Sequence, residues 1–300
     1  MNAITTVITT YNGASRGYLE QAIQSVLDQT YKNSRLLIVD DGSTDQTKEL
    51  CQKYLSNNKV SYVYRENGGP AAARNMGIKL AETELITFLD DDDFYEPSML
   101  EEMLSTFTGY NDANIGMIYC RTQHIKKGVV KNAPFPSEVT NSYEKLFYGN
   151  FITTSALLIH KKVFNTVGYF KENLKYSEDY DMWLRIAKQY GVYPLNKTLV
   201  NYRVHDNQLS SHPQIMYNFH RKVLKEAIEK APAKIKKEKE NILLNLHINY
   251  ANINLGYHEY TGFREQYRLA SQYQRLGAKW KLKYLLSYFP YIMRYISKVK

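Results

Sequence analysis

The 300-residue sequence predicts an α/β fold, a mostly parallel sheet flanked by helices, with a basic helical extension behind it. Three observations support this. Apolar, β-branched runs alternate with stretches of helical periodicity between Ile4 and Leu89, which is the pattern of strand–helix–strand units. The runs give way to polar and acidic residues, as expected where parallel strands end in ligand-binding loops. Charge is also uneven: from Gln214 onward 17 Lys and Arg face 6 Asp and Glu, whereas residues 1–213 hold 22 against 24.

Ile4 to Thr10 is rich in β-branched residues and stops at Tyr11-Asn12-Gly13, so it reads as a buried strand entering a loop. Leu19, Ala22, Ile23, Val26 and Leu27 then recur at helical spacing. Arg35 to Val39 is a second strand, stopped by Asp40-Asp41-Gly42-Ser43, and Ser43 or Thr44 is expected to cap the helix that runs through Lys53. Val60 to Tyr64 is a third strand, Gly68-Gly69-Pro70 a loop, and Ala71 to Leu80 a helix with Arg74 and Asn75 in its first turns. Leu85 to Leu89 completes the series. Farther on, Gly116 to Cys120, Ala156 to Ile159 and Val200 to His205 read as strands, and Glu178 to Ala187 as a helix whose acidic first turn suits its dipole. The chain is helical and basic from Gln214, with a break at Ala231-Pro232-Ala233. The expected domains are residues 1–213, with halves meeting near 110, and residues 214–300.

Hydrophobic content of 44% and charged content of 23% describe an ordinary globular protein. Cys51 and Cys120 form no disulfide or zinc framework, which fits a reducing compartment. No basic-then-apolar leader opens the chain and no run of 18 apolar residues occurs, so neither a signal peptide nor a membrane span is expected. A cytoplasmic location follows. The tail qualifies it: after Glu265 there is no acid, while Arg268, Arg275, Lys279, Lys281, Lys283, Arg294, Lys298 and Lys300 alternate with aromatic and aliphatic residues. Such a segment suits the surface of an anionic bilayer, peripheral at the inner face of the cytoplasmic membrane. It equally suits packing on the first domain or on a second copy in a homodimer. Nucleic acid is not an expected partner.

The run Asp90-Asp91-Asp92-Asp93 follows the strand Leu85 to Leu89. Adjacent carboxylates at a strand end repel one another, and a divalent cation such as Mg2+ or Mn2+ explains keeping them together. The strand-end rule gathers Thr9 to Asn12, Asp40 to Ser43 and Asp90 to Asp93 on one edge of the sheet. Neither G-x-G-x-x-G after the first strand nor G-x-x-x-x-G-K-[ST] is present. Phosphates would therefore be neutralised by metal and by a basic side chain, for which Arg74 at a helix start is placed.

With these motifs in hand, the chain resembles the inverting nucleotide-sugar glycosyltransferases of family 2, with the GT-A fold, over roughly Ile4 to Ser210. The resemblance rests on Thr9-Thr10-Tyr11-Asn12, Ser25 to Tyr31, Val39 to Asp45, Ala73-Arg74-Asn75-Met76-Gly77, Phe88 to Asp93 and Glu178-Asp179. It implies that Thr10, Tyr11, Asn12, Asp40 and Asp41 meet the nucleotide of a donor, Asp41 favoured over Asp40 for the imide N–H of uracil. Asp90, Asp91 and Arg74 would complete the donor site. Asp90 and Asp92 look like the outer acids of a metal-binding D-x-D signature, with Asp93 orienting the loop, and His205, with Arg203 nearby, resembles a further contact to metal or diphosphate. Asp179 looks like the general base, with Glu178 second. The Gln-x-x-Arg-Trp motif of processive members is absent, which implies single-residue transfer.

The activity so implied is metal-dependent, inverting transfer of one sugar, from a UDP-hexose or UDP-N-acetylhexosamine, to a glycan acceptor of a bacterial surface polysaccharide, possibly lipid-linked. A protein-linked glycan, as on an adhesin, is the alternative acceptor. A sugar-phosphate nucleotidyltransferase needs a glycine-rich basic loop that Tyr11-Asn12-Gly13-Ala14 does not provide. A non-catalytic nucleotide-sugar-binding subunit has no use for Asp179.

Overall fold

A computed structural model describes residues 2–133, 135, 142–205, 208 and 212–290. Two compact units result: Met1–Leu146 with Asn150–Gln208, and Phe147–Gly149 with Leu209–Lys300. The division falls slightly earlier than residue 213, and the short segment Phe147–Gly149 belongs with the second unit.

The first unit opens with β1 (Ile4–Thr10), α1 (Gly13–Arg16), α2 (Leu19–Leu27), β2 (Ser34–Asp40), α3 (Thr47–Gln52), β3 (Val60–Tyr64), α4 (Pro70–Leu80) and β4 (Leu85–Asp90). It continues through β5 (Phe94–Tyr95), α5 (Met99–Gly109), β6 (Ile115–Lys126), β7 (Val129–Asn132), α6 (Ser142–Leu146), β8 (Leu157–His160), α7 (Lys162–Val167), α8 (Glu178–Gln189) and β9 (Gly191–Arg203). The sheet order is β3-β2-β1-β4-β8-β6-β9-β5, with β7 paired to β6. Strands β3, β2, β1 and β4 are mutually parallel, as the alternating pattern predicts. Beyond β4 the sheet is mixed: β8 runs antiparallel to both β4 and β6, while β9 is parallel to β6. This mixture is the α/β sheet of the GT-A type.

Packing explains the β-branched character of β1. It lies between β2 and β4, and Ile4, Val7 and Ile8 are wholly buried. On α2, Leu19, Ala22, Ile23 and Val26 face that core. Helix α4 approaches β1 more closely: a Cβ at Gly77 would stand 2.3 Å from Val7 Cγ1. Register decides where the loops meet, because Thr10 pairs with Asp40 and Thr9 with Asp90, so β1, β2 and β4 end at one level.

One local expectation is corrected. Neither Ser43 nor Thr44 caps the next helix, which starts at Thr47. Asp45 accepts the Thr47 N–H at 3.0 Å, and Ser43 and Thr44 instead serve Asn12 across the sheet edge. The local pattern of Ser, Thr and Asp could not rank these partners.

The second unit is helical: α9 (Pro213–Glu229), α10 (Ala233–Lys237), α11 (Lys239–Gly256), α12 (Tyr260–Ser271) and α13 (Ala278–Leu286), with Pro232 separating the first two. Leu224, Ile228, Ile242, Leu243, Leu246 and Phe263 form its interior. Arg294, Lys298 and Lys300 lie outside the described residues, as does Ser210. Among the described residues no helix is long and apolar enough to cross a membrane.

Because Val7 cannot yield without disturbing the central strand, Gly77→Ala should destabilise the protein by about 1–3 kcal/mol, read as a lowered denaturant midpoint at unchanged m-value.

Candidate active site

Three loops meet at the common end of β1, β2 and β4. Asn12, in left-handed backbone (φ 52), stitches the first two: its N–H donates to Ser43 Oγ at 2.8 Å and its Oδ1 accepts the Thr44 N–H at 2.8 Å. Asn tolerates that backbone region better than most residues. Tyr11 beside it is 47% exposed, and its carbonyl accepts from Arg16 at 2.9 Å.

Asp40 and Asp41 are both buried and fully engaged. Asp40 accepts the Ser43 N–H at 2.8 Å and the Tyr62 hydroxyl at 2.7 Å. Asp41 accepts the N–H groups of Gly68 and Gly69, at 3.1 and 2.7 Å, and pairs with Arg65. A nucleobase imide reaching Asp41 would share its oxygens with Arg65 or displace it. Sequence reasoning missed Arg65, although it directly follows β3 on the same edge; applying the strand-end rule to β3 finds it.

Within the acidic run, each carboxylate has a different environment. Asp90, at the end of β4, accepts from Arg74 at 2.8 Å. Asp91 turns inward to Thr10 and Arg16, in a space that a Cβ on Gly13 would invade, 2.3 Å from Thr10 Oγ1 and 2.9 Å from Asp91 Oδ2. Burial pushes the Asp91 carboxyl up to about 7 against the pull of Arg16 and Thr10. Asp92 meets His205 Nε2 at 2.9 Å, and His205 stacks on Tyr18. Burial and the Asp90 charge raise Asp92, with His205 opposing. Asp93 is wholly buried, held by Ser155 Oγ at 2.6 Å and the Arg203 N–H at 3.1 Å, and burial lifts it well above the usual carboxylate range. Arg203 lies between the rings of Tyr18 and Phe94 and donates to the Asp92 carbonyl at 2.6 Å. It clamps the loop rather than pointing into open solvent.

Thr10 and Asp91 therefore differ from the expectation that they meet a donor: their side chains are spent on each other and are buried. Arg74 differs more. It is 5% exposed, and its guanidinium divides between Glu178 at 2.6 Å and Asp90 at 2.8 Å. Burial works against its charge, but the two carboxylates outweigh that and keep it charged. It is not a free cation awaiting phosphate. The same contact removes Glu178 from the candidates for a base, since its carboxylate is buried and paired.

Asp179 is thereby left as the available carboxylate of the pair. It begins α8, just after Ser177, whose backbone is left-handed (φ 60). Asn150 Nδ2 donates to one oxygen at 3.0 Å and the Tyr180 N–H to the other at 2.7 Å. Burial and the neighbouring Glu178 push its carboxyl up to about 7, with Arg74 opposing. A carboxylate so poised accepts a proton at neutral pH.

Among the described residues no three His, Cys, Asp or Glu side chains converge as a metal cluster. The donor types nevertheless fit a hard divalent ion: Asp92, the second oxygen of Asp90, and an imidazole, with carboxylate repulsion that a cation would relieve. Two concavities of about 160 and 420 Å3 open beside the amino-terminal ends of β1 and β2, around Tyr31, and touch none of these groups.

Acidic loops at the carboxyl ends of parallel strands, linked through Arg74 to the start of α8, form the candidate site. The chain belongs to glycosyl transferase family 2, whose family model matches residues 5–168. It is 32% identical over 237 residues to an uncharacterized glycosyltransferase of Rickettsia typhi, covering 74% of this chain and 73% of that protein. Chondroitin synthase of Escherichia coli is 28% identical over 237 residues, 76% of this chain but 33% of that longer protein. Among solved structures, S. aureus TarS 1–349 in complex with UDP-GlcNAc superposes with a TM-score of 0.66 at 19% identity, covering 95% of this chain and 79% of that one. Mannosyltransferase PcManGT from Pyrobaculum calidifontis, in complex with GDP-Man and Mn2+, gives 0.65 at 15% identity, covering 98% and 86%. At these identities the two structures attest the fold. The protein is a glycosyltransferase, and its chemistry is nucleotide-sugar transfer.

Replacing Arg74 by Met strands the buried Glu178 carboxylate and leaves the partly exposed Asp90 unpaired, so Arg74→Met should cost about 3–5 kcal/mol of stability. Arg74→Met with Glu178→Gln should recover part of that loss in a denaturant titration.

Proposed function

We propose that the protein transfers one hexose or N-acetylhexosamine from a UDP-linked donor, with inversion, to a hydroxyl of a glycan acceptor. The observation that carries this is the Arg74 bridge: it holds Glu178 and Asp90 on one guanidinium, so Asp179 stands beside the acidic loop. In this reading Asp179 takes the proton of the acceptor hydroxyl as its oxygen bonds to the anomeric carbon. The bond from that carbon to the diphosphate oxygen breaks, and the leaving group departs with the electron pair. Tyr11, Asn12 and the Asp40–Asp41 edge hold the nucleotide, with Asp41 reading the base once Arg65 gives way. Asp90, Asp92 and His205 would hold Mn2+ or Mg2+, which supplies charge neutralisation to the departing diphosphate. Asp93, fixed by Ser155 and Arg203, keeps that loop in place.

The acceptor is a growing surface glycan, in our reading lipid-linked at the inner face of the cytoplasmic membrane. Helix α13 supports the membrane part, since Leu282 and Leu285 are 57% and 60% exposed among Lys279, Lys281 and Lys283. Truncation after residue 265 should lower association with anionic liposomes; unchanged association would remove α13 from that role.

Release of UDP from UDP-glucose, UDP-galactose and their N-acetylated forms, with Mn2+ or Mg2+, tests the donor class against GDP-mannose. Release from one uridine donor that is lost on chelation and in Asp92→Ala is the expected outcome. Release from GDP-mannose alone would overturn the base assignment. A base lifted to about 7 must be ionised to act, so transfer should fall as pH drops through 7 and level off above it. Asp179→Asn should lower transfer by about 10²–10⁴ while donor binding, measured calorimetrically, persists.

A further inference from the structure

The hairpin made by the end of β6 and by β7 takes no part in the chemistry above. Ile125 pairs with Val130 and Lys126 with Val129, and the chain turns through Lys127 and Gly128 in left-handed backbone (φ 49 and 80). Every residue from Lys126 to Asn132 is exposed, Val129 and Val130 by 57% and 53%. Val129 and Val130 point to opposite faces of the ribbon, Val129 beside Lys126 and Val130 beside Ile125, so each flank of the tip leaves a valine in water, which is unfavourable unless something covers it. Lys126, Lys127 and Lys131 flank them, and no Asp or Glu occurs in the sequence between Asp112 and Glu138.

The hairpin also has a fixed place relative to the site. Ile125 pairs with Arg203, and the Val204 N–H donates to the Ile125 carbonyl at 2.8 Å. The next residue, His205, holds Asp92. Strands β6 and β9 are parallel here, so the turn projects past the same carboxyl edge that carries the acidic loop.

We propose that the tip of this hairpin is a membrane contact, entering the interfacial layer end-on so that Val129 and Val130 on its two flanks both leave water while Lys126, Lys127 and Lys131 meet anionic lipid headgroups, holding the mouth of the site at the bilayer. A soluble polyanionic glycan would satisfy the lysines but leave both valines in water; a bilayer surface satisfies both. The inference deepens the reading that the acceptor is lipid-linked and rests on it. It assigns the first unit its own membrane contact, separate from α13.

The test uses the full chain, without donor, in sedimentation with phosphatidylcholine vesicles and with vesicles also containing phosphatidylglycerol. Wild type should pellet with the anionic vesicles. The Lys126→Gln, Lys127→Gln, Lys131→Gln variant should need about a hundredfold more lipid, and the Val129→Ser, Val130→Ser variant about tenfold more. Cys51 and Cys120 are buried, so Val129→Cys carrying an environment-sensitive dye reports the tip, and its emission should shift to the blue on anionic vesicles. Unchanged partition of both variants, no emission shift, or no binding by wild type would overturn the proposal. So would loss in the lysine variant alone, which marks a purely electrostatic contact with no apolar insertion. Release of UDP without vesicles should be unaltered in both variants, confirming an intact fold. If vesicle binding behaves as described while wild type releases no UDP from any donor, the functional reading fails and the membrane contact stands.

Discussion

Arg74 is the interaction on which the site depends. Its buried guanidinium is shared by Glu178, from the start of α8, and Asp90, from the end of β4, two elements separated by roughly ninety residues of chain. An ion pair removed from water is stabilising only if both partners stay in register, because each alone would bear the full cost of desolvation. The bridge therefore ties the geometry of the acidic loop to that of the carboxylate beside Glu178. Asp179 inherits its position and part of its electrostatics from a residue that it does not touch.

The remaining polar groups around the site are held in the same manner. Asp91 is spent on Thr10 and Arg16, Asp93 on Ser155 and the backbone of Arg203, Asp40 on Ser43 and Tyr62. These partners satisfy carboxylates that burial would otherwise penalise. The four adjacent acids thus separate into two that brace the loop, Asp91 and Asp93, and two that retain an outward role, Asp90 and Asp92. The run is a turn after the end of β4, closed by the Asp93 N–H donating to the Asp90 carbonyl at 3.0 Å, and the partners on neighbouring elements decide which acids face inward.

Much of this arrangement was legible beforehand. The central strands β1, β2 and β4 announce themselves because they are buried on both faces and run in β-branched and apolar residues, and helices α2 and α4 because their apolar residues follow the helical period. The gathering of the Thr10, Asp40 and Asp90 loops needed only the rule that parallel strands end together. The second half was harder. Strand β8 is four residues long and antiparallel, and β9 is partly exposed, so the apolar run Ala156 to Ile159 marks a strand without giving its direction, and β9 carries no unbroken apolar run.

What the sequence determined by itself was the set of candidate residues: a carboxylate cluster after one strand, an acidic pair after another, and a Glu-Asp pair at a helix start. Local pattern decides these, because strand ends and helix starts are set by residues near in the chain. What only the tertiary structure decided was which of those side chains remain available. Arg74 became a bridge, Glu178 its partner, Thr10 and Asp91 a buried pair, and Asp41 the neighbour of Arg65. Each outcome depends on contacts between residues far apart in sequence, and a charged group's role is set by its burial and its partners, neither of which is written in its neighbours.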